Sequence, residues 1–289
     1  MTTLLMLLGC QSITLSQEWD LDRLRLLAVR AEPAEPRPGE AVSFTSLGYA
    51  PDGEGWGAIW FACVVGSELG CSFDSTLLDG LADLESMTPE EQVELVAALQ
   101  AAGLIGFEPG FAPAWTVPEG ALAGLTEEEA LEGTSATVQV TLTTAPEGGP
   151  GETELVLRRI PISLAPTPNT NPDIGTFEVQ GDALAAGAGL TGAAGREYEI
   201  VATLAGELEE YAYVTTAGGS ETRTEALEWR WYTDVGTLAA PVSVSVDDPT
   251  PTSDTILWTP DEAGEGVLHA VVLDGRGGMG WWSVAVTVE

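Results

Sequence analysis

The side chains of this chain that could do chemistry are carboxylates, three cysteines and a single histidine. The histidine, His269, lies within an otherwise apolar run, residues 267–273. A catalytic triad would need His269 to meet a serine nucleophile and an acid, and the sequence has no Gly-x-Ser-x-Gly elbow to suggest one. We therefore expect His269 to be a strand residue with a structural hydrogen bond, and we assign no catalytic residue.

Carboxylates are so abundant that no single pair stands out. Glycoside hydrolysis needs two facing carboxylates, so a carboxylate-dependent hydrolase of surface glycans is one alternative function. Calcium is the inorganic ligand best matched to these oxygen donors, with Asp247 and Asp248 as weak candidates and a further acidic group at residues 207–210. No ordered calcium-loop spacing occurs, and solvated acidic loops explain the same residues. We expect no cofactor, with calcium as the one exception to test.

Four tryptophans are candidate contact residues for a protein or glycan partner. Trp229 and Trp231 are two residues apart and share one face of a predicted strand, whereas Trp281 and Trp282 are adjacent and point to opposite faces. An exposed tryptophan can mark a contact site because its ring is largely apolar and carries one polar N–H. Packing at a domain junction is the alternative explanation.

The charge of the chain excludes several functions. It has 45 acidic and 10 basic residues, a net charge of −35, and every basic residue is an arginine. The absence of lysine excludes a phosphate-loop lysine and Schiff-base chemistry. Nucleic acid is not expected as a partner, because its binding needs basic residues that neutralise phosphates. The negative charge keeps such a chain soluble through repulsion.

The first ten residues contain an apolar run that ends in Leu7-Leu8-Gly9-Cys10. This run resembles a bacterial lipoprotein signal with its lipobox, although Met1-Thr2-Thr3 lacks the usual basic residue. The resemblance implies cleavage of residues 1–9, acylation of Cys10, a tether over residues 10–24 and a lipid anchor in the membrane. Gln11 and Ser12 favour the outer membrane or cell surface of a Gram-negative bacterium. A buried apolar N-terminus is the alternative.

If Cys10 carries lipid, Cys63 and Cys71 remain as an even pair in an oxidising compartment. We expect a disulfide between them. A zinc site is weaker, because their spacing matches no zinc knuckle and His269 is remote in sequence.

A proline-rich run divides the chain. Residues 166–172 contain three prolines and no apolar periodicity, so we expect a linker between domains at 25–165 and 173–289. The first domain opens with a predicted strand at 24–31, a Pro-Gly corner, and strands at 41–45 and 56–65. This arrangement resembles bacterial immunoglobulin-like domains, in which Trp60 would be the buried core tryptophan.

Between Cys71 and Pro113, the apolar residues change from the two-residue period of a strand to the 3.6-residue period of a helix. Thr88-Pro89-Glu90-Glu91 predicts a helix start, and the helix should run to about Ala102 as part of an insertion over residues 72–112. Thr126 predicts a second, short helix. Strands are then expected at 134–143 and 152–160.

The sequence of the second domain predicts seven strands and no helix. These strands are expected at 174–179, 197–204, 226–232, 242–246, 255–258, 266–273 and 281–288. The turn Asp274-Gly275-Arg276-Gly277-Gly278 resembles the end of PKD-like and other immunoglobulin-like domains, with glycines that permit positive φ.

The sequence therefore predicts a mainly β chain of two immunoglobulin-like β-sandwich domains in tandem, the first with an inserted α-helix. Together with the lipoprotein resemblance, this favours a lipid-anchored envelope or surface protein with a non-enzymatic adhesion, scaffold or assembly role. The alternatives are the glycan hydrolase and a calcium- or small-ligand-binding lipoprotein. A fold alone names no partner.

Overall fold

The computed structural model describes most of the chain from Trp19 onwards. The described residues are 19–51, 55–64, 87–110, 112–144, 151–214, 219–245 and 250–289. Within these ranges, no helix combines the length and the apolar composition that a membrane crossing needs.

The first sandwich packs a three-stranded sheet, in the order β1-β2-β5, against a four-stranded sheet, in the order β4-β3-β6-β7. Its strands are β1 (Arg25–Glu32), β2 (Ala41–Tyr49), β3 (Trp56–Val64), β4 (Leu104–Glu108), β5 (Ala114–Thr116), β6 (Thr134–Thr144) and β7 (Thr153–Ile162). All pairings in these two sheets are antiparallel.

Alternation of apolar and polar residues positions the core of this sandwich. In β6, Ala136, Val138, Val140 and Leu142 are fully buried, whereas the residues between them face outwards. Trp60 is also fully buried in this core. The prediction that Trp60 is a core tryptophan is therefore confirmed.

Two helices follow the capping signals in the sequence. α1 (Pro89–Ala101) begins after Thr88 and α2 (Glu127–Glu132) begins after Thr126, and each has a complete capping box. Leu99 of α1 is fully buried in a small cluster on the outer side of the four-stranded sheet. The predicted insertion at 72–112 is corrected in one respect, because β4 lies within it and pairs with β3 as a regular sheet strand.

The second sandwich packs two five-stranded sheets, in the orders β10-β19-β18-β14-β16 and β15-β17-β11-β8-β9. Its strands are β8 (Ile174–Val179), β9 (Asp182–Ala183), β10 (Leu190–Gly192), β11 (Tyr198–Leu204), β12 (Glu210–Val214), β13 (Ser220–Thr224), β14 (Glu228–Thr233), β15 (Thr237–Ala239), β16 (Val242–Val244), β17 (Ser253–Thr259), β18 (Gly264–Leu273) and β19 (Met279–Val288). β12 and β13 form a separate hairpin between β11 and β14.

All seven strands predicted for this region are present, and five short ones were not predicted: β9, β10, β12, β13 and β15. The core contains Phe177, Ile200, Trp231 and Trp258, each at most 2% exposed. The mainly β fold, with two β-sandwiches and a helical addition to the first, is as the sequence predicts.

The two sandwiches share a third apolar cluster at their junction. Leu27 and Ala28 of β1 pack there with Val271 of β18 and Met279 of β19. The chain reaches this junction at its first described residues, since Leu21 is buried in the cluster and Asp20 forms a parallel bridge with Thr233 of the second sandwich. Residues 19–21 therefore lie beside the second sandwich, although they precede the first in sequence.

Candidate functional site at the domain junction

The turn between β18 and β19 is folded around a buried aspartate. Asp274 is 1% exposed, and its Oδ1 accepts hydrogen bonds from the backbone N–H groups of Arg276 (2.7 Å), Gly277 (2.9 Å) and Gly278 (2.9 Å). Gly275 and Gly277 have φ of 74° and 120°, which confirms the expectation that the glycines of this turn permit positive φ. The turn thereby presents the side chain of Arg276 to the domain junction.

Arg276 is the centre of a charged cluster that joins both sandwiches. Its guanidinium lies 3.2 Å from carboxylate oxygens of Glu35, Glu209 and Glu225. Glu35 belongs to the first sandwich and the other two glutamates to the second. The same guanidinium lies over the ring of Tyr211, 4.5 Å from its centroid, at a distance typical of a cation–π contact. We call this group of five side chains the Arg276 cluster.

The segment between the domains is tied to the same cluster. Glu35 accepts hydrogen bonds from the Ser163 hydroxyl (2.5 Å) and from the backbone N–H of Asn169 (2.6 Å). The Asn169 side chain donates in turn to Asp274 Oδ2 (2.8 Å), and Asn169 is 2% exposed. The predicted linker at 166–172 has no strand or helix, but Asn169 anchors it in the junction.

Other polar contacts continue the junction along β1. Arg30 forms an ion pair with Asp173 (2.6 Å), and Asn171 donates to the carbonyl of Ala31 (2.7 Å) while its Oδ1 accepts from the backbone N–H of Met279 (3.0 Å). These bonds connect a strand of the first sandwich, the linker and a strand of the second.

Glu225 is an acid of the cluster with a raised pKa. Burial raises its pKa to about 7, with further raising by the negative charges of Asp274 and Glu209, while a hydrogen bond from the backbone N–H of Glu209 and the charge of Arg276 lower it. Glu225 is 5% exposed. A carboxyl with this pKa gains or loses a proton near neutral pH.

Glu209 and Glu225 also line a small acidic pocket of about 260 Å³, together with residues 170–173 and 204–208. Both carboxylates point to Arg276 and are ion-paired with it, so they neutralise a guanidinium instead of facing each other across a substrate-sized cleft. Over the part of the chain that the structure describes, no three acidic, histidine or cysteine side chains are arranged to hold a metal ion.

Two of the four candidate contact tryptophans are corrected. Trp229 and Trp231 are 2% and 0% exposed, within the core of the second sandwich, so they cannot contact a partner. The prediction that they share a strand face holds, but that face is the inner one. The Trp231 indole N–H donates to Asp254 (2.7 Å), which satisfies its one polar group.

Trp281 and Trp282 point to opposite faces of β19, as expected. Trp282 packs on the second core and stacks on Phe177 at 6.1 Å, with 16° between the ring planes. Trp281 packs against the apolar cluster of the junction. Both are partly buried, and packing, including packing at the domain junction, is their observed role.

His269 is a buried strand residue, 6% exposed, whose Nδ1 lies 2.9 Å from the Ser283 hydroxyl on the neighbouring strand. Burial lowers its pKa to about 4, so the ring is neutral at physiological pH. The predicted structural hydrogen bond is therefore confirmed.

Several predicted site residues lie outside the described residues. These are Cys10, Cys71, Asp247 and Asp248. Cys63 is described and lies in β3, but its disulfide with Cys71 stays a prediction, as do lipidation of Cys10 and calcium binding by the two aspartates.

Sequence reasoning missed the residues of the junction. The turn at 274–278 was assigned to the domain type and given no further role. One signal is present in the sequence, since Arg276 is one of only ten basic residues in the chain and lies in a glycine-rich turn. Its partners Glu35 and Glu225 are too far away in sequence to be paired by pattern.

Comparisons with known proteins give weak likenesses only. No protein-family model and no curated protein matches the chain. Among solved structures, the D00-D0 domain of intimin is 11% identical over 92% of this chain and 98% of its own, with a TM-score of 0.22. Domains 4 and 5 of the S-layer protein SbsC are 10% identical over 91% and 98%, with a TM-score of 0.21. At these TM-scores neither likeness carries an argument about function.

Proposed function

We propose that this chain is a lipid-anchored surface protein of a Gram-negative bacterium with a non-enzymatic adhesion, scaffold or assembly role. The observation that carries the proposal is the junction, where the Arg276 cluster and the shared apolar cluster couple two filled sandwiches. Relative motion is the default expectation for tandem domains with small interfaces. A junction that combines buried charge pairs with an apolar cluster opposes such motion.

A coupled pair of sandwiches suits a protein that presents binding surfaces in a fixed arrangement. Two such surfaces lie outside the cores. On β7, an edge strand of its sheet, Leu155 and Leu157 are 58% and 63% exposed. On the β12–β13 hairpin, the Arg223 guanidinium lies 3.5 Å from the ring centroid of Tyr213. Exposed apolar and aromatic groups of this kind are typical of contacts with a protein or glycan.

The known chemistry of the described acids also favours binding over hydrolysis. The carboxylates of the Arg276 cluster, those of Glu35, Glu209 and Glu225, are all paired with Arg276. A glycosidase needs its two carboxyl groups on either side of a scissile bond.

The anchor is tested by expressing the gene with its native upstream region in a Gram-negative host. We expect the mature N-terminal peptide to begin at an acylated Cys10 by mass spectrometry, and the protein on whole cells to be degraded by added protease. The matched control is Cys10→Ala, which should stay unacylated and should not be degraded on intact cells. An unprocessed, soluble and protease-protected wild type would contradict the proposal.

A further inference from the structure

A second cleft, larger than the acidic pocket, lies between the two sandwiches. Its volume is about 400 Å³. The first sandwich contributes residues at the start of β6 and along β7, and the second contributes residues at the start of β14 and the turn at 275–278. The cleft is therefore a product of the junction and exists in neither sandwich alone.

Arginines are concentrated in this cleft. Arg158, Arg159 and Arg276 all line it, although the whole chain has only ten basic residues. Arg276 is neutralised by its three glutamates. Within the described ranges, neither Arg158 nor Arg159 forms an ion pair.

Arg158 is bound on one side only. Its Nη2 donates to the carbonyl of Gly277 (2.8 Å), but its Nε is buried and has no hydrogen-bond partner among the described residues. Burial lowers its pKa, while the charge of Asp274 raises it and that of Arg230 lowers it. A buried guanidinium N–H without an acceptor destabilises the fold, because it loses its hydrogen bond to water and forms no hydrogen bond with the protein.

The acids near the cleft are already engaged. Glu228 lines it, but its carboxylate accepts from Arg230 Nε at 2.5 Å. Asp274 accepts from three backbone N–H groups and from Asn169. Among the described residues, neither Arg158 nor Arg159 therefore has an ion-pair partner at the cleft, although the charge of Asp274 acts on Arg158. A ligand anion can pair with both guanidinium groups.

The remaining walls are apolar or carry hydroxyl groups. Leu227, Val244 and Leu273 supply aliphatic surface from the second sandwich, and Thr134 and Ser135 supply hydroxyls from the first. A volume of about 400 Å³ lies within the range of small-molecule sites, in which a mostly apolar pocket with a few polar groups orients the ligand.

We propose that this interdomain cleft binds a small organic carboxylate, whose anionic group pairs with Arg158 and Arg159 and whose apolar part packs on Leu227, Val244 and Leu273. The guanidinium groups of Arg158 and Arg159 line the cleft, and charge-assisted hydrogen bonds from such groups are stronger than neutral ones. The site is separate from the surface role proposed above and does not depend on it.

Isothermal titration of the full chain with 3-phenylpropionate, and with its uncharged amide at the same ionic strength, tests this site. We expect the acid to bind at least about tenfold more tightly than the amide, a difference of about 1.4 kcal/mol. Arg158→Gln should remove this preference. Arg196→Gln, which deletes an exposed cation outside the cleft, is the charge-matched control and should keep this preference.

Arg159→Gln provides a second variant in case Arg158→Gln fails to fold, because the Arg159 side chain is exposed. It should weaken binding of the acid by about threefold or more. Equal binding of acid and amide, an unchanged preference in both cleft variants, or no binding of 3-phenylpropionate, glutarate and hexanoate would each overturn the proposal.

Discussion

Glu225 and His269 are buried ionisable side chains whose pKa values are shifted so that each favours its neutral form. For Glu225 the pKa rises from 4.5 to about 7, so its contribution to stability is present below about pH 4.5 and lost as the pH rises through 7. For His269 the pKa falls from 6.5 to about 4, so its contribution is present above pH 6.5 and lost as the pH falls through 4. The two effects oppose each other between these limits.

The variant Glu225→Gln should isolate the contribution of Glu225 to the pH dependence of stability. The variant cannot ionise, so the free energy of unfolding of the wild type minus that of the variant should decrease by roughly 3 kcal/mol between pH 4.5 and 7.5. Denaturant unfolding at several pH values measures this difference. Glu210→Gln, at an exposed position of β12, is the control for the loss of one acidic side chain. A constant difference for Glu225→Gln would show that burial does not raise its pKa.

Helix α1 contacts the sheet through the fully buried Leu99 and the partly buried Leu95. Leu99 is fully buried against Phe61 and Leu104, whereas Val93 on the same helix is 69% exposed. Leu99→Ala should destabilise the protein by roughly 2–5 kcal/mol, because it leaves a cavity in this small cluster. Val93→Ala should change stability by less than about 0.5 kcal/mol.

Hydrogen exchange of residues 89–101 adds a local measurement to denaturant unfolding of these two variants. Exchange should accelerate in Leu99→Ala and stay unchanged in Val93→Ala. Similar exchange in both variants would mean that α1 is held by something other than Leu99.

The elements with strong local signals were predictable from the sequence. β8 was predicted at its observed bounds, and both helices begin at capping boxes that involve only neighbouring residues. Three of the missed strands are very short: β9 has two residues and β10 and β15 have three. Segments of this length contain too little alternation of buried and exposed residues to be recognised. The five-residue strands β12 and β13 are defined by their pairing with each other.

The candidate site was much less predictable than the fold. Arg276 and Glu35 are ion-paired but lie 241 residues apart, and Arg158 meets Gly277 across 119 residues. No periodicity connects residues at such separations. The tryptophans at 229 and 231 were misjudged for a related reason, since a strand pattern shows which residues share a face but not which face is covered by the other sheet.

The junction should make the two sandwiches unfold together. Arg276→Gln leaves Glu35, Glu209 and Glu225 close together without their shared cation, and breaking a buried pair in this way typically costs about 3–5 kcal/mol. We expect the variant to be cleaved by protease within residues 163–173 under conditions where the wild type resists, and its thermal unfolding to separate into two transitions.

Arg223→Gln removes an equal charge from the exposed hairpin and serves as the control, with wild-type resistance and a single transition. If the wild type is itself cleaved at the linker as fast as Arg276→Gln, the cluster does not couple the domains.

The bridge between Asp20 and Thr233 decides how this molecule would carry a mechanical load. A tensile force applied to the chain upstream of Trp19 acts first on the junction of the sandwiches, where Leu21 is buried. It acts on β1 of the first sandwich only after that. The force is then shared by both sandwiches, and does not pass through the first sandwich before it reaches the second. A protein anchored through the chain upstream of Trp19 would be held at the junction, with one sandwich on each side of the attachment.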